Sequence, residues 1–100
     1  MFNAKTFPAD RAVNMICRDY GITPAELLSS YKYGKLPEAR KLYCKVLKSL
    51  GARNQDIAKI TGFSPSRVTL TIIAANKVHD KIPYFKIQHR ALLGLLKNGY

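Results

Sequence analysis

Two short apolar patterns meet at a Gly-Phe-Ser turn within residues 54–72, NQDIAKITGFSPSRVTLTI. A helix-turn-helix needs a small residue where its two helices touch, Gly at the turn and a branched apolar residue on the second helix. Ala58, Gly62 and Val68 occupy these three scaffold positions. The same pattern also fits a plain helix hairpin closed by a left-handed Gly, so the motif alone leaves both interpretations open.

The second helix of this motif is expected at about residues 64–78, with Ser64 as its N-cap and Pro65 in its first turn. In a helix-turn-helix the first residues of that helix meet base edges in the major groove. Arginine can donate to two guanine acceptors, hydroxyls suit phosphates or bases, and apolar groups can touch a thymine methyl. For Arg67 the alternative is a solvated surface side chain. The expected base-contacting residues are Ser66, Arg67, Thr69, Leu70 and Thr71.

A second candidate surface is the basic loop at residues 31–36, in which two tyrosines alternate with two lysines around Gly34. Such a loop suits a phosphate backbone or a minor groove. It equally suits a surface loop whose tyrosines pack on the edge of the domain. The residues expected at the DNA backbone or in the minor groove are Tyr31, Lys32, Tyr33, Lys35, Arg40, Lys41, Lys45, Arg53, Asn54 and Ser64.

The charge of the chain favours a polyanionic partner. Of 100 residues, 17 are Lys or Arg and 6 are Asp or Glu, a net charge of +11, and the whole excess lies in residues 31–100. This imbalance favours nucleic acid or an anionic membrane surface over a merely solvated basic face. RNA has only the charge in its favour, because no aromatic sheet motif is present. No helix combines the wide basic face and bulky apolar face of a membrane-surface helix.

We expect neither catalysis nor a bound metal or cofactor. The acidic residues occur singly, and His79 and His89 have no Cys or carboxylate cluster beside them. Cys17 and Cys44 lack metal spacing and fall on apolar helix faces, which predicts two buried free thiols. No apolar run reaches the roughly 18–20 residues of a membrane span, and no signal-peptide pattern opens the chain. The expected location is therefore the cytoplasm.

The helix start and stop signals predict an all-α fold, a compact bundle of about six helices in one domain over residues 1–100. The first helix is expected to open at Phe7-Pro8-Ala9 and to end at Gly21. The stretch ITPAELL then has an N-cap Thr, a Pro at the first helical position and a Glu that completes a capping box. Only the β-branched cluster at residues 68–73 could compete as a strand.

The third helix is expected from about Pro37 to Leu50, with Arg40, Lys41, Lys45 and Lys48 outside its apolar stripe. The residues of that stripe are Leu42, Tyr43, Val46, Leu47 and Leu50. Asn54 is the expected cap of the fourth helix. The fifth is expected to end near Val78, followed by a break at residues 80–83. A sixth helix should run to about Lys97, and its expected inward residues are Ile87, Leu92, Leu93 and Leu96.

Residues 13–96 resemble the C-terminal DNA-binding domain of the bacterial replication initiator DnaA, a helical domain related to the Trp repressor. The stretch VNMICRDYGITPAELLSS is similar to the opening helices of that family, and Ala39-Arg40 stands like its Ala-Arg before the long helix. Residues 56–59 match its acidic-Ile-Gly-basic run except for Ala at the Gly position, and YFKIQHRALLGLL is similar to its closing helix. The resemblance implies a helix-turn-helix fold related to the Trp repressor.

The base-contacting residues at the start of the second helix differ from those of that family. Its recognition helix opens with Asp-His-[Ser/Thr]-Thr-Val, whereas residues 64–68 here are Ser-Pro-Ser-Arg-Val after a turn shorter by one residue. By resemblance, Ser66, Arg67 and Thr69 take base-contacting positions, and Lys32 and Lys35 take the role of the basic loop at the minor groove. Because residues 64–68 lack the Asp and His of that family's recognition helix, the initiator's own binding site is not assumed for this chain. No phosphate-binding Gly-rich motif of an ATPase is present.

The resemblance implies a bacterial or phage DNA-binding module of the nucleoid, active in replication or transcription control. It favours a monomer, because that family uses the domain as a monomeric module, although helix-turn-helix proteins often bind as dimers. Its expected partner is double-stranded DNA, with replication or transcription proteins as further candidates. The alternative is a protein-interaction module on the same fold that acts on the replication machinery, through the closing helix or the tyrosines of the basic loop.

Overall fold

A computed structural model describes residues 9–97 of the protein. These residues form six α-helices and no strand, which confirms the expected all-α class, and the cluster at residues 68–73 is helical. The expected opening at Phe7-Pro8 lies outside the described residues. The helices are α1 (Ala9–Tyr20), α2 (Pro24–Leu27), α3 (Leu36–Ser49), α4 (Asn54–Thr61), α5 (Pro65–Lys81) and α6 (Pro83–Lys97).

Local capping chemistry fixes two of the helix starts. The hydroxyl of Thr23 accepts from the backbone N–H of Glu26 at 3.1 Å, and the Glu26 carboxylate accepts from the backbone N–H of Thr23 at 3.0 Å. This is the predicted capping box, in which each residue satisfies the other's unpaired amide. At the start of α5, the Ser64 hydroxyl accepts from the Arg67 N–H at 3.1 Å, as predicted.

The start of α4 differs from the prediction, because Arg53 rather than Asn54 is the N-cap. The Asp56 carboxylate accepts from the backbone N–H of Arg53 at 3.0 Å. This bond satisfies the backbone N–H of the N-cap residue itself, which has no partner within the helix. The Asn54 side chain instead bonds to neighbouring helices, accepting from Lys48 Nζ at 2.9 Å and donating to the Thr69 hydroxyl at 3.2 Å.

The break predicted at residues 80–83 is present but shorter, since α5 continues to Lys81, past the predicted end near Val78, and only Ile82 separates it from α6. Pro83 can occupy the first turn of a helix because its missing N–H would be unpaired there in any case. Its ring forces the preceding residue out of the helical region, and Ile82 has φ −115° and ψ 105°. Two long helices therefore meet at a single extended residue.

Helix α3 lies at the centre and packs against each of the other five helices. Its Leu42, Val46 and Leu47 are completely buried, as the predicted apolar stripe required. Cys17 and Cys44 are buried free thiols, which confirms that prediction, and burial raises the pKa of the Cys44 thiol to about 12. None of the helices described is both long enough and apolar enough to cross a membrane.

The inward face of α6 includes the predicted Leu92, Leu93 and Leu96 but not the predicted Ile87. Phe85, His89, Leu92 and Leu96 are buried, whereas Ile87 is 66% exposed. The buried residues follow helical spacing i, i+4, i+7 and i+11, which places them in one stripe. Ile87 stands two positions from Phe85 and therefore lies on the far side of the helix.

Candidate nucleic-acid interface

The turn between α4 and α5 occupies residues 62–64 and is held by its own residues. Gly62 has φ +79°, the left-handed conformation that favours Gly, and its N–H donates to the Ala58 carbonyl at 2.9 Å. The Thr61 hydroxyl donates to the Ile57 carbonyl at 2.7 Å and accepts from the Phe63 N–H at 3.1 Å. Past the turn, Val68 is completely buried against the core, and this orients α5.

The first turns of α5, the basic loop and the start of α3 enclose an open cleft of about 540 Å³, which we call the basic cleft. Four of its lining residues are basic and none is acidic. The structure therefore brings together residues of both predicted DNA-contacting sets, which are far apart in the chain. The lining residues are Lys32, Pro37, Arg40, Lys41, Ser64, Ser66, Arg67, Leu70, Thr71 and Ala74.

Arg40 does not lie on the solvent side of α3 as predicted, because only 6% of it is exposed. Its Nε donates to the Leu27 carbonyl at 2.8 Å, and its Nη2 donates to the Glu26 carbonyl at 3.0 Å and to the Ser29 hydroxyl at 2.9 Å. The last carbonyls of a helix have no partner within the helix, and Arg40 supplies donors to the end of α2. Burial lowers the pKa of the Arg40 guanidinium, and the charge of Arg67 lowers it further.

Arg67, the residue predicted to reach guanine, is bound within the protein. Its Nη2 donates to the Ser29 carbonyl at 2.8 Å, and its guanidinium carbon lies 3.7 Å from the centre of the Phe63 ring. A guanidinium over an aromatic face is held by the ring quadrupole as well as by packing. Arg67 therefore links the start of α5 to the segment after α2 and turns toward the basic cleft.

The two tyrosines of the basic loop stand at its surface, Tyr31 60% and Tyr33 57% exposed, with ring centres 5.8 Å apart. The Tyr33 hydroxyl donates to the Glu26 carboxylate at 2.8 Å, and this bond raises the pKa of Tyr33. The same bond, after that of the Thr23 backbone N–H, lowers the pKa of Glu26. Lys32 lines the basic cleft, whereas Lys35 is exposed outside its lining.

Three other residues predicted at the DNA backbone lie outside the basic cleft. Lys45 donates to the side chain of Asn76 on α5 at 2.7 Å. Arg53 forms an ion pair with Asp56 at 3.2 Å. Asn54 links Lys48 to Thr69, as described above. The contacts of Lys45 and Asn54 join α3, α4 and α5 to one another, whereas the Arg53 ion pair lies within the start of α4.

The outward surface of α5 is formed by a line of side chains at i, i+4, i+7 and i+11, which we call the outer stripe: Ser66, Leu70, Ile73 and Lys77. All four are exposed, on the side of the helix opposite the buried Val68, Ile72 and Ala75. Ile73 and Lys77 were not among the predicted residues. Helical spacing from Ser66 identifies both residues, because the periodicity that places Val68 in the core places Ile73 and Lys77 at the surface.

The hydroxyls of the two predicted threonines are engaged with the helix itself. Thr69 donates to the Pro65 carbonyl at 3.1 Å, and Thr71 donates to the Arg67 carbonyl at 2.7 Å. Such bonds to the carbonyl four residues earlier are common for Thr in helices. Each hydroxyl has one proton, so both residues can act toward a ligand only as acceptors or through their methyl groups.

Comparison of the chain with protein-family models, with curated proteins and with solved structures gives no match in any of the three. The resemblance to the DnaA domain therefore rests on the residues quoted above and stays a prediction.

Proposed function

We propose that the protein binds double-stranded DNA, with the first turns of α5 in the major groove and the basic loop along the neighbouring backbone. The observation that supports this most is the basic cleft, whose lining carries four basic residues and no acidic one beside the exposed start of α5. Phosphate contacts of this kind position a protein on the duplex, and base contacts from the helix then specify the sequence. The resemblance to DnaA favours a role in replication or transcription control.

The basic residues of the cleft divide into two groups by what they already bind. Arg40 and Arg67 hold the end of α2 and the Ser29 segment. Lys32 and Lys41 have no hydrogen bond or ion pair to any residue within 9–97, and they remain available to phosphate. In this proposal the lysines supply electrostatic affinity and the arginines shape the cleft. The Ser29 carbonyl and the Phe63 ring hold the guanidinium of Arg67 at the cleft, and its other N–H groups have no bond to residues 9–97.

The test is selection of duplexes from a random pool, followed by measurement of affinity against salt concentration. Removing one lysine–phosphate interaction lowers the slope of log K against log salt by about 1. Lys32→Ala and Lys41→Ala should each show that decrease on selected and random duplexes alike. Lys86→Ala is the matched control, because it removes the same charge from an exposed position on α6 outside the cleft. Failure to bind any duplex would refute the proposal, and an equal decrease with Lys86→Ala would place the DNA elsewhere.

A protein-interaction module is the second candidate, favoured by an exposed apolar stripe on α6. Tyr84 and Ile87 are 68% and 66% exposed, and Leu95 is 40% exposed on the same side. Large apolar side chains grouped on a surface are typical of interaction sites. An association that survives nuclease treatment and is lost with Ile87→Ser, together with an empty duplex selection, would favour this candidate over DNA binding.

A further inference from the structure

The outer stripe of α5 exposes two large aliphatic side chains where a DNA-reading helix would present its surface. Leu70 is 67% exposed and Ile73 is 49% exposed. Within the stripe, Ser66 precedes the two aliphatic residues and Lys77 follows them, so the only charge of the stripe lies at its C-terminal end. Because removal of aliphatic surface from water is favourable, this part of the helix favours an apolar contact.

The neighbouring side chains leave the stripe with few hydrogen-bond donors. Arg67 is drawn to Phe63 and Ser29. The hydroxyl protons of Thr69 and Thr71 are used on backbone carbonyls of α5. One N–H of Arg67 and the hydroxyl protons of Thr69 and Thr71 are therefore engaged inside the protein, whereas the aliphatic groups of the outer stripe are exposed.

The major groove has one apolar feature that such a surface can read, the C5 methyl of thymine. Residues 70 and 73 are separated by about 4.5 Å along the helix axis, at about 1.5 Å per residue. Stacked base pairs are separated by about 3.4 Å. With α5 lying along the groove, this rise is close to one base-pair step, so Leu70 and Ile73 can reach the methyl groups of thymines at neighbouring positions of one site.

We propose that Leu70 and Ile73 are specificity-determining residues that select thymines by contact with their C5 methyl groups. This inference rests on the proposed DNA binding and identifies the class of base that the same surface reads. The basic lining of the adjacent cleft supports DNA as the occupant of this apolar stripe, because a polyanion complements the lysines on its flank.

The experiment replaces thymines of a selected duplex, one at a time, with deoxyuridine. Deoxyuridine keeps the hydrogen-bonding groups of thymine and lacks only the C5 methyl. Burial of a methyl group contributes about 0.8 kcal/mol, so Kd should rise about fourfold at each contacted thymine. Leu70→Ala and Ile73→Ala should each become insensitive to the change at one of these thymines, which gives a double-mutant cycle between side chain and methyl.

Ile87→Ala is the matched control, because it truncates an equally exposed aliphatic residue on α6 and should keep the full sensitivity. Both α5 substitutions change exposed side chains, and a thermal unfolding curve for each checks that the fold is retained. The inference is overturned if selected sites lack thymine, if no deoxyuridine changes Kd, or if Leu70→Ala and Ile73→Ala keep the wild-type response. Absence of binding to every duplex would instead overturn the proposed function.

Discussion

Replacing Arg40 by Met tests whether this arginine holds the fold together or binds DNA. Met has a similar unbranched stem without donors, so the substitution removes the bonds to the Leu27 and Glu26 carbonyls and to the Ser29 hydroxyl while filling much of the space. The Glu26 carbonyl still accepts from the Ser29 hydroxyl and amide. The Leu27 carbonyl has no other donor among the described residues.

The largest cost is therefore the buried Leu27 carbonyl, at about 1–3 kcal/mol for an unsatisfied acceptor. Loss of the other two bonds adds to it, since bonds to a charged donor are stronger than neutral ones. Removal of a buried charge that Arg67 repels offsets part of the sum. We expect a net loss of about 2 kcal/mol in the free energy of unfolding. For a domain of this size that lowers Tm by about 8–16 °C.

The assay is urea and thermal unfolding of Arg40→Met beside Lys41→Met, the next residue on α3. Lys41 is half-buried and lines the same cleft, but it has no hydrogen bond to residues 9–97. Its substitution should change stability by no more than about 0.5 kcal/mol and should lower DNA affinity. If Arg40→Met is as stable as Lys41→Met, the assignment of Arg40 to the end of α2 is refuted.

Two further predictions concern the turn and the capping carboxylates. Gly62→Ala should destabilise the protein by about 1–2 kcal/mol in urea unfolding, because φ is +79° at Gly62. Gly94→Ala, inside α6 with nothing within 4 Å of an added Cβ, should stabilise the protein by up to about 1 kcal/mol. If both substitutions change the free energy of unfolding equally, the positive φ of Gly62 is not the cause of its effect. Hydrogen bonds from backbone N–H groups are the largest cause that lowers the folded-state pKa values of Glu26 and Asp56. The stabilisation that these carboxylates contribute is therefore complete above their unfolded pKa of about 4, and it is lost as pH falls through the folded pKa. Glu26→Gln should reduce this loss in unfolding measured from pH 7 to pH 2; an unchanged pH dependence would argue against the capping bond.

The sequence was sufficient wherever a few neighbouring residues decide the conformation. Thr23 and Glu26 form a capping box because both partners lie within one turn of helix. Gly62 ends α4 because few other residues accept a positive φ. The all-α class follows from signals of the same range, and so does the placement of Val68 in the core.

The closing helix shows where such signals become ambiguous. Its sequence PYFKIQHRALLGLLK supports two apolar stripes, one containing Phe85 and Leu92 and one containing Tyr84 and Ile87. Helical spacing allows either stripe to face inward. Packing of α6 against α1, α3 and α5 selects the first, and the second remains at the surface.

By itself, the sequence determined the helices, the turn at Gly62 and the excess of positive charge after residue 30. Tertiary structure alone decided what the charged residues do. Arg40 finds its acceptors 13 and 14 residues earlier in the chain, and Arg67 finds Ser29 at a separation of 38 residues. A side chain's periodic position gives its direction from its own helix, but its partner depends on which other segment the fold brings there. The lysines of the basic cleft, and the exposed aliphatic pair Leu70 and Ile73, are among the groups that this packing leaves available to a partner.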